Sequence, residues 1–401
     1  MFVRGGPSHR LGAVLVPMSL ALAWTACSDG EAAAPAADAG RDVAQPPEDA
    51  SVDAEGSPDS SAPWTCATDD DPDGSKRHLE CTGLYADAAS KVVAPDVRAY
   101  RPALEFWSDG AAKQRWIHLP PGTTIDASDV DEWVFPAGTK LWKEFSLEGR
   151  RVETRLYEKT AAGWRHAVYR WNAAETSAER LETGEKLPPT GARSTTYEIP
   201  DATQCKTCHD GRKEPVLGFD AVGLGLPGAE GVTLGSLAKE GRLNAAPATT
   251  DLVVPDDLGD GTGPSALGFL HANCGGCHND NAAAVASYTK PKLLLHASEL
   301  LGEDGGAAPT SYKGLRAYAT TVCKAANRTD PDGGAPYALV QPGAPTASLV
   351  AILAGQRVAE GKEPSSGVQM PPIVTRAVDG AGHAKLTSWI SALAAIQPTC
   401  P

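Results

Sequence analysis

Thioether is the scarcest functional group in this sequence: 401 residues contain three methionines, Met1, Met18 and Met370. If the N-terminal stretch is removed on export, as argued below, Met370 is the one soft sulfur ligand left that is not a cysteine. Positive charge is also short. Thirty-six Lys and Arg face fifty Asp and Glu, for a net charge of −14, which removes nucleic acid and anionic membrane surfaces from the candidate partners and favours partners with basic docking surfaces. Beyond the first 26 residues no apolar run approaches the length that spans a bilayer as a helix. Residues 28–63 hold almost nothing to bury: nine acids, one arginine, and otherwise mostly Ala, Pro, Ser and Gly, the composition of a disordered, self-repelling tether.

What precedes that tether reads as an export signal. Arg4 and Arg10 lead into an apolar stretch from Leu11 to Trp24 that is too short to be a spanning helix. Its end, Leu22-Ala23-Trp24-Thr25-Ala26-Cys27, resembles a bacterial lipobox, with Trp24 where leucine is usual. The expectation is cleavage after residue 26 and lipidation of Cys27, the alternative being an ordinary secretory signal. Removing 1–26 takes two arginines and no acid, leaving −16. The expected location is the periplasm or outer membrane of a Gram-negative bacterium, with the membrane reached only through the lipid.

Nine cysteines organise the remainder. Four of them form Cys205-Lys206-Thr207-Cys208-His209 and Cys274-Gly275-Gly276-Cys277-His278, two copies of the C-x-x-C-H pattern that attaches c-type haem. Cysteines three positions apart can each add to a vinyl group of one porphyrin, and the following histidine is then held under the iron. A redox C-x-x-C pair or a four-cysteine zinc site does not require a histidine after both pairs. The expectation is two covalent haem c groups, with His209 and His278 as proximal iron ligands. Setting Cys27 aside leaves Cys66, Cys81, Cys323 and Cys400, enough for two disulfides in an oxidising compartment. Local pairing suggests Cys66 with Cys81 and Cys323 with Cys400, out of three possible connectivities.

Between Cys66 and Cys81 lies Asp69-Asp70-Asp71-Pro72-Asp73-Gly74, followed by Glu80, which fits the spacing of a calcium loop. Asp69, Asp71, Asp73 and Glu80 would supply the oxygens. The flanking helices are missing, so the alternative is a solvated acidic turn inside a disulfide loop.

The fold expectation is a multidomain α+β chain. The segments are 1–26 signal, 27–63 lipidated cysteine and acidic linker, and 64–97 a disulfide-clipped segment. Then come 98–200 an all-β, sandwich-like domain, 201–262 a first haem-binding segment connecting it onward, and 263–401 a mostly α, cytochrome c-like domain with the second haem. In the β part, alternating runs at Trp116–Leu119, Trp133–Phe135, Lys140–Leu147, Arg151–Glu158 and Trp164–Trp171 are separated by Pro-Gly and Gly turns. Six tryptophans fall there, at 107, 116, 133, 142, 164 and 171, as an aromatic core or as a binding surface. Helical patterns occupy Thr233–Arg242, Ser265–Cys274, Thr346–Ala354 and Lys385–Ile396.

Met370 lies in Gln369-Met370-Pro371-Pro372 ahead of the last helix, where a class I cytochrome c keeps its sixth ligand, so the second haem is expected to be His278/Met370. By elimination the first haem takes a histidine, a weaker ligand or none. His271 leads the candidates, being three residues before Cys274, followed by His118 and His166; His78, His296 and His383 complete the set.

With these motifs in view the chain resembles a family of bacterial diheme c-type cytochromes whose physiological role is not established. The matching runs are Phe106-Trp107-Ser108-Asp109-Gly110, Trp116-Ile117 with Leu119-Pro120, Phe135-Pro136 with Gly138-Thr139 before Lys143, and Glu153-Thr154-Arg155-Leu156. They continue through Gly163-Trp164, Tyr169 with Trp171-Asn172, Ile199-Pro200 before Gln204-Cys205-Lys206, and Asn273-Cys274 with Cys277-His278-Asn279. Met370-Pro371 and Trp389-Ile390 close the match, which covers roughly 98–396. The resemblance implies an exported protein with covalent haem and supplies no reaction. Three functions are open at this stage: electron transfer between redox partners, a peroxidase-like enzyme with the first haem catalytic and the second as relay, and a β-domain binding module with accessory haem.

Overall fold

The computed structural model describes residues 65–302, 307–329, 336–365 and 367–400. The expected signal 1–26, Cys27 and the acidic stretch 28–63 lie outside the described residues.

Alternating side chains between 97 and 180 build one antiparallel sheet. A short ribbon, β1 (Tyr85–Asp87) with β2 (Val92–Val93), precedes it. Then come β3 (Val97–Arg101), β4 (Ala112–His118), β5 (Lys140–Leu147), β6 (Arg150–Thr160), β7 (Gly163–Trp171) and β8 (Ala178–Arg180). These six pair in chain order, and β11 (Glu230–Gly231) adds to the free edge of β3. The result is a seven-stranded sheet within a mixed α/β fold. Further ribbons are β9 (Glu185–Leu187) with β10 (Tyr197–Ile199), and β12 (Ala325–Thr329) with β13 (Pro336–Ala338).

Because successive side chains alternate between faces, register decides what the sheet shows to each side. Trp116, Trp142, Leu156 and Ala167 are consecutive cross-strand partners, buried with Trp171 under Leu79, Leu84 and Tyr85 of the N-terminal segment. Thr82 and Thr154 hydroxyls accept from the buried Trp142 and Trp171 indoles. The opposite row, Ile117, Leu141, Tyr157 and His166, faces the later half of the chain. The sheet is therefore single, and its second layer is made of helices and loops where a sandwich would use a second sheet.

Eight α-helices lie among the described residues: α1 (Ala202–His209), α2 (Ala221–Gly225), α3 (Leu234–Lys239), α4 (Thr262–Cys274), α5 (Ala297–Leu301), α6 (Arg316–Ala319), α7 (Leu349–Ala354) and α8 (Gly380–Ala392). Helices α4 and α8 pack closely. A Cβ on Gly382 would overlap the Phe269 ring, so the smallest residue permits the approach. Trp389 of α8 is fully buried, edge-on to Tyr312 and Tyr318. One hydrophobic cluster runs from Ile117 and Leu141 of the sheet through Phe219 and Leu267 to Trp389, joining sheet and helices. Two disulfides, Cys66–Cys81 and Cys323–Cys400, tie the two ends of this unit.

Besides the sandwich, two further expectations change. Trp133–Phe135 is not a strand; Val134 makes only an isolated bridge to Asp126, because its flanking Trp133 and Phe135 turn into the core instead of continuing a ladder. Residues 202–209 form a helix that apolar periodicity does not announce. Asp201 accepts from Gln204 N–H while the Gln204 side chain accepts from Asp201 N–H, a capping box that fixes the start without an amphipathic face.

Candidate functional site

The two C-x-x-C-H motifs come together in space. The first occupies the end of α1, the second the end of α4 and the turn after it. They meet through glycine: a Cβ on Gly211 would overlap the Gly276 carbonyl oxygen, and a Cβ on Gly276 would press on the Cys208 carbonyl. The Cys208 and Cys277 thiols lie within hydrogen-bond reach, which raises the first well above the ordinary thiol range and lowers the second. Burial raises Cys205 and pushes Cys274 up to about 12. All four cysteines are free thiols. Gly211→Ala is expected to force the motifs apart and to cost roughly 1–3 kcal/mol, as overpacking does, read as a lower urea midpoint with an unchanged slope; an unchanged midpoint would mean the contact is not tight.

Both motif histidines have their tautomer fixed. His209 Nδ1 is 2.7 Å from the Pro215 carbonyl, which can only accept, so Nδ1 carries the proton. Thr289 donates its hydroxyl proton to Ala286 O at 2.7 Å and accepts from His278 Nδ1 at 3.0 Å. In each ring Nε2 is left as a lone pair, the arrangement that orients and strengthens a histidine metal ligand. Burial pushes His209 down to about 3 and His278 to about 4, so both are neutral at ordinary pH.

Between the second motif and the C-terminal segment lies a cavity of about 690 Å³, within the usual range for a cofactor site. Cys274, Cys277, His278 and Cys208 line it, as does Met370. Its apolar wall comes from Phe106, Leu217, Leu270, Leu293, Val350 and Leu353. Met370 is held by its own backbone N–H to Leu353 O at 2.9 Å and packs beside Leu349 and Leu353. Its loop is pinned to the sheet side by Asp109, whose carboxylate accepts from Arg376 N and Ala377 N at 2.8 and 3.0 Å. The buried Arg376 side chain meets the buried Glu198 at 2.5 Å.

His271 lines the same cavity, yet its Nδ1 accepts from Leu295 N–H at 3.0 Å. Its single proton is therefore on Nε2, the reverse of the two motif histidines. Four further candidates are engaged elsewhere: His78 with Asp69, His118 with Asp96, His296 with Asp131, and His383 Nε2 with Ala351 O. His166 stacks on Tyr157, which stacks on His209 at 4.5 Å between ring centres; among the described residues its buried Nε2 and the Tyr157 hydroxyl have no hydrogen-bond partner.

The acidic loop has other work than calcium. Asp71 and Asp73 are bridged by Arg180 at 2.9 Å each, Asp69 meets His78 at 2.5 Å, and Glu80 accepts from Ala178 N. Ser75 and Arg180 hold the Asp73 carboxyl far below its usual range. Asp71, Asp73 and Glu80 dock the disulfide loop on β8, while Asp69 braces the loop from within through His78.

Compared with known protein families, with curated proteins and with solved structures, the chain gives no match in any of the three. Among the described residues no group of three or more His, Cys, Asp or Glu is placed to hold a metal ion. The resemblance to the diheme family is corrected accordingly. Many residues that carried it are explained by packing: Trp116, Phe135 and Trp171 are core, Glu153 is the buried partner of Arg155, and Asp109 caps the 376–377 backbone. No helix among the described residues is long and apolar enough to cross a membrane.

Proposed function

We propose that this chain carries two covalently attached haem groups, one on Cys205 and Cys208 and one on Cys274 and Cys277, and passes electrons between partner proteins. The observation that carries the reading is the shared tautomer of His209 and His278, each with Nδ1–H donated to an oxygen and Nε2 free. The residues fit the group at the second motif, with paired free thiols three apart, an apolar cavity of cofactor size, and Met370 in its wall with His278; the first motif adds Cys208 to that wall, while Cys205 and His209 lie outside it. When bound, haem would take its protein ligand atoms from among His209, His278 and Met370. Bound haem supplies reversible one-electron chemistry at a potential tuned by those axial atoms. The chain's part is to anchor through sulfur, present His209, His278 and Met370, and keep water out with the leucine-rich wall.

In this reading 98–200 is a β domain, 201–262 the first haem-binding segment, and 263–401 a cytochrome c-like part built on α4 and α8. Export and a lipid anchor at Cys27 belong to the same reading, supported by the sequence of 1–63 and by two disulfides, which persist in oxidising compartments. The acidic net charge supports redox partners with basic docking surfaces. A glycan- or protein-binding role for the sheet has little support, since Trp116, Trp133, Trp142 and Trp171 are buried.

A second reading, a redox enzyme acting on peroxide at the first motif, draws on one observation: the Nδ1 lone pair of His271, the leading distal candidate there, is taken by Leu295 N–H. The full chain, matured in a host that attaches haem c, separates these readings. Electron transfer predicts two haems per chain by pyridine haemochrome assay, both unreactive to carbon monoxide and peroxide. Two haems with one that binds carbon monoxide or peroxide would favour the enzyme, and a chain without covalent haem would end both.

A further inference from the structure

The sheet face turned toward the first motif carries a row that its own register should forbid. Arg115 of β4 is the cross-strand partner of Lys143 of β5, and Lys143 is the partner of Arg155 of β6. Like charges directly opposite each other on adjacent strands repel, and desolvation adds to the cost when they are covered. Counter-ions among the described residues do not match the row. Arg155 is satisfied by a close pairing with Glu153. Arg115 is 4% exposed, reaches Glu105 only at 3.3 Å with one nitrogen, and leaves Nη1 without a partner among the described residues. Lys143 lies against the faces of Phe106 and Phe145, at 5.9 and 5.6 Å. Burial, then the charges of Arg115, Lys113 and Arg155, drive its ammonium well below the usual lysine range. Arg115 and Lys143 both line the cavity beside Cys208.

We propose that Arg115 and Lys143 form a carboxylate-binding site that holds the propionates of the haem in the cavity they line together with Cys274, Cys277 and His278. The inference rests on the two-haem reading above. Two carboxylates entering this corner supply the missing negative charge: Arg115 Nη1 gains the acceptor it lacks, and Lys143 gains an ion partner in a poorly solvated place, where charge-assisted hydrogen bonds are strong. These residues orient the group and set its charge environment; neither is an axial ligand.

The test uses the full-length, haem-loaded protein. Lys143→Gln and Arg115→Gln are each expected to keep two haems per chain while one haem becomes harder to reduce, by about tenfold in its equilibrium, about 59 mV for one electron. Resonance Raman should show the propionate bending band shifted in the same variants. Lys143→Arg, which keeps the charge, is expected to restore both readouts, and it decides the matter if Lys143→Gln does not accumulate. Unchanged potentials and an unchanged propionate band in protein that holds two haems would overturn the site and leave the two-haem reading standing. A low- to high-spin change in Lys143→Gln would also overturn it, since that places the amine on iron. Wild-type chain without covalent haem would end the reading itself.

Discussion

With the two proposed haems in place, replacing Met370 by alanine is expected to leave both attached, to lower the reduction potential of one of them, and to move its ferric spectrum toward high spin. Attachment needs the cysteine pairs, and Met370 is not among them. What Met370 contributes is a thioether in the wall that His278 shares, and methionine opposite histidine raises haem potential. The fall should exceed a tenfold change in the reduction equilibrium, about 59 mV. Met370 is only partly buried against Leu349 and Leu353, so Met370→Leu, which conserves volume at a cost below about 1.5 kcal/mol, separates ligation from packing. If the leucine variant matches wild type in spectrum and potential, Met370 is a packing residue and the second haem has another partner.

Arg376→Leu is expected to destabilise the fold by roughly 3–5 kcal/mol, the usual result of stranding one member of a buried ion pair. Arg376 and Glu198 side chains are each 4% exposed and meet at 2.5 Å; the other acid in reach of Arg376, Glu363, is 74% exposed, and the other cation in reach of Glu198, Lys186 at 3.4 Å, is 56% exposed, so each contributes little. The same segment anchors to Asp109 through its backbone, which the substitution spares. Adding Glu198→Leu removes the stranded carboxylate, so the double variant should recover much of the loss in urea denaturation. A double variant less stable than the single would mean the pair is worth more than its desolvation, contrary to this account.

How much of this was legible depends on the distance over which each signal acts. β5 is read from the sequence with its ends correct, Lys140 to Leu147, since alternation and a Gly turn are local. The hairpin of β6 and β7 follows from the Thr160–Gly163 turn in the same way. Helix α1 was hidden because its signal is the Asp201–Gln204 cap and not a hydrophobic stripe. β11 cannot be read at all: two residues, Glu230 and Gly231, join β3 more than a hundred positions away. For the site, Cys-x-x-Cys-His marks its histidines, but which nitrogen of His209, His278 or His271 holds the proton depends on Pro215, Thr289 and Leu295, whose approach only the fold decides. The Arg115–Lys143–Arg155 row shows no periodicity in sequence, because it runs across strands.

The bond between Cys323 and Cys400, 77 residues apart, encloses Met370, the loop pinned by Asp109 and the whole of α8. A chain closed in this way explores a small volume when it opens locally, and closing a long loop removes conformational freedom from the opened state. Fraying of α8 therefore does not let the Met370 segment diffuse away; the sulfur stays at high effective concentration near the cavity it lines. Reductant removes that restraint, turning a brief local opening into release of the entire C-terminal segment.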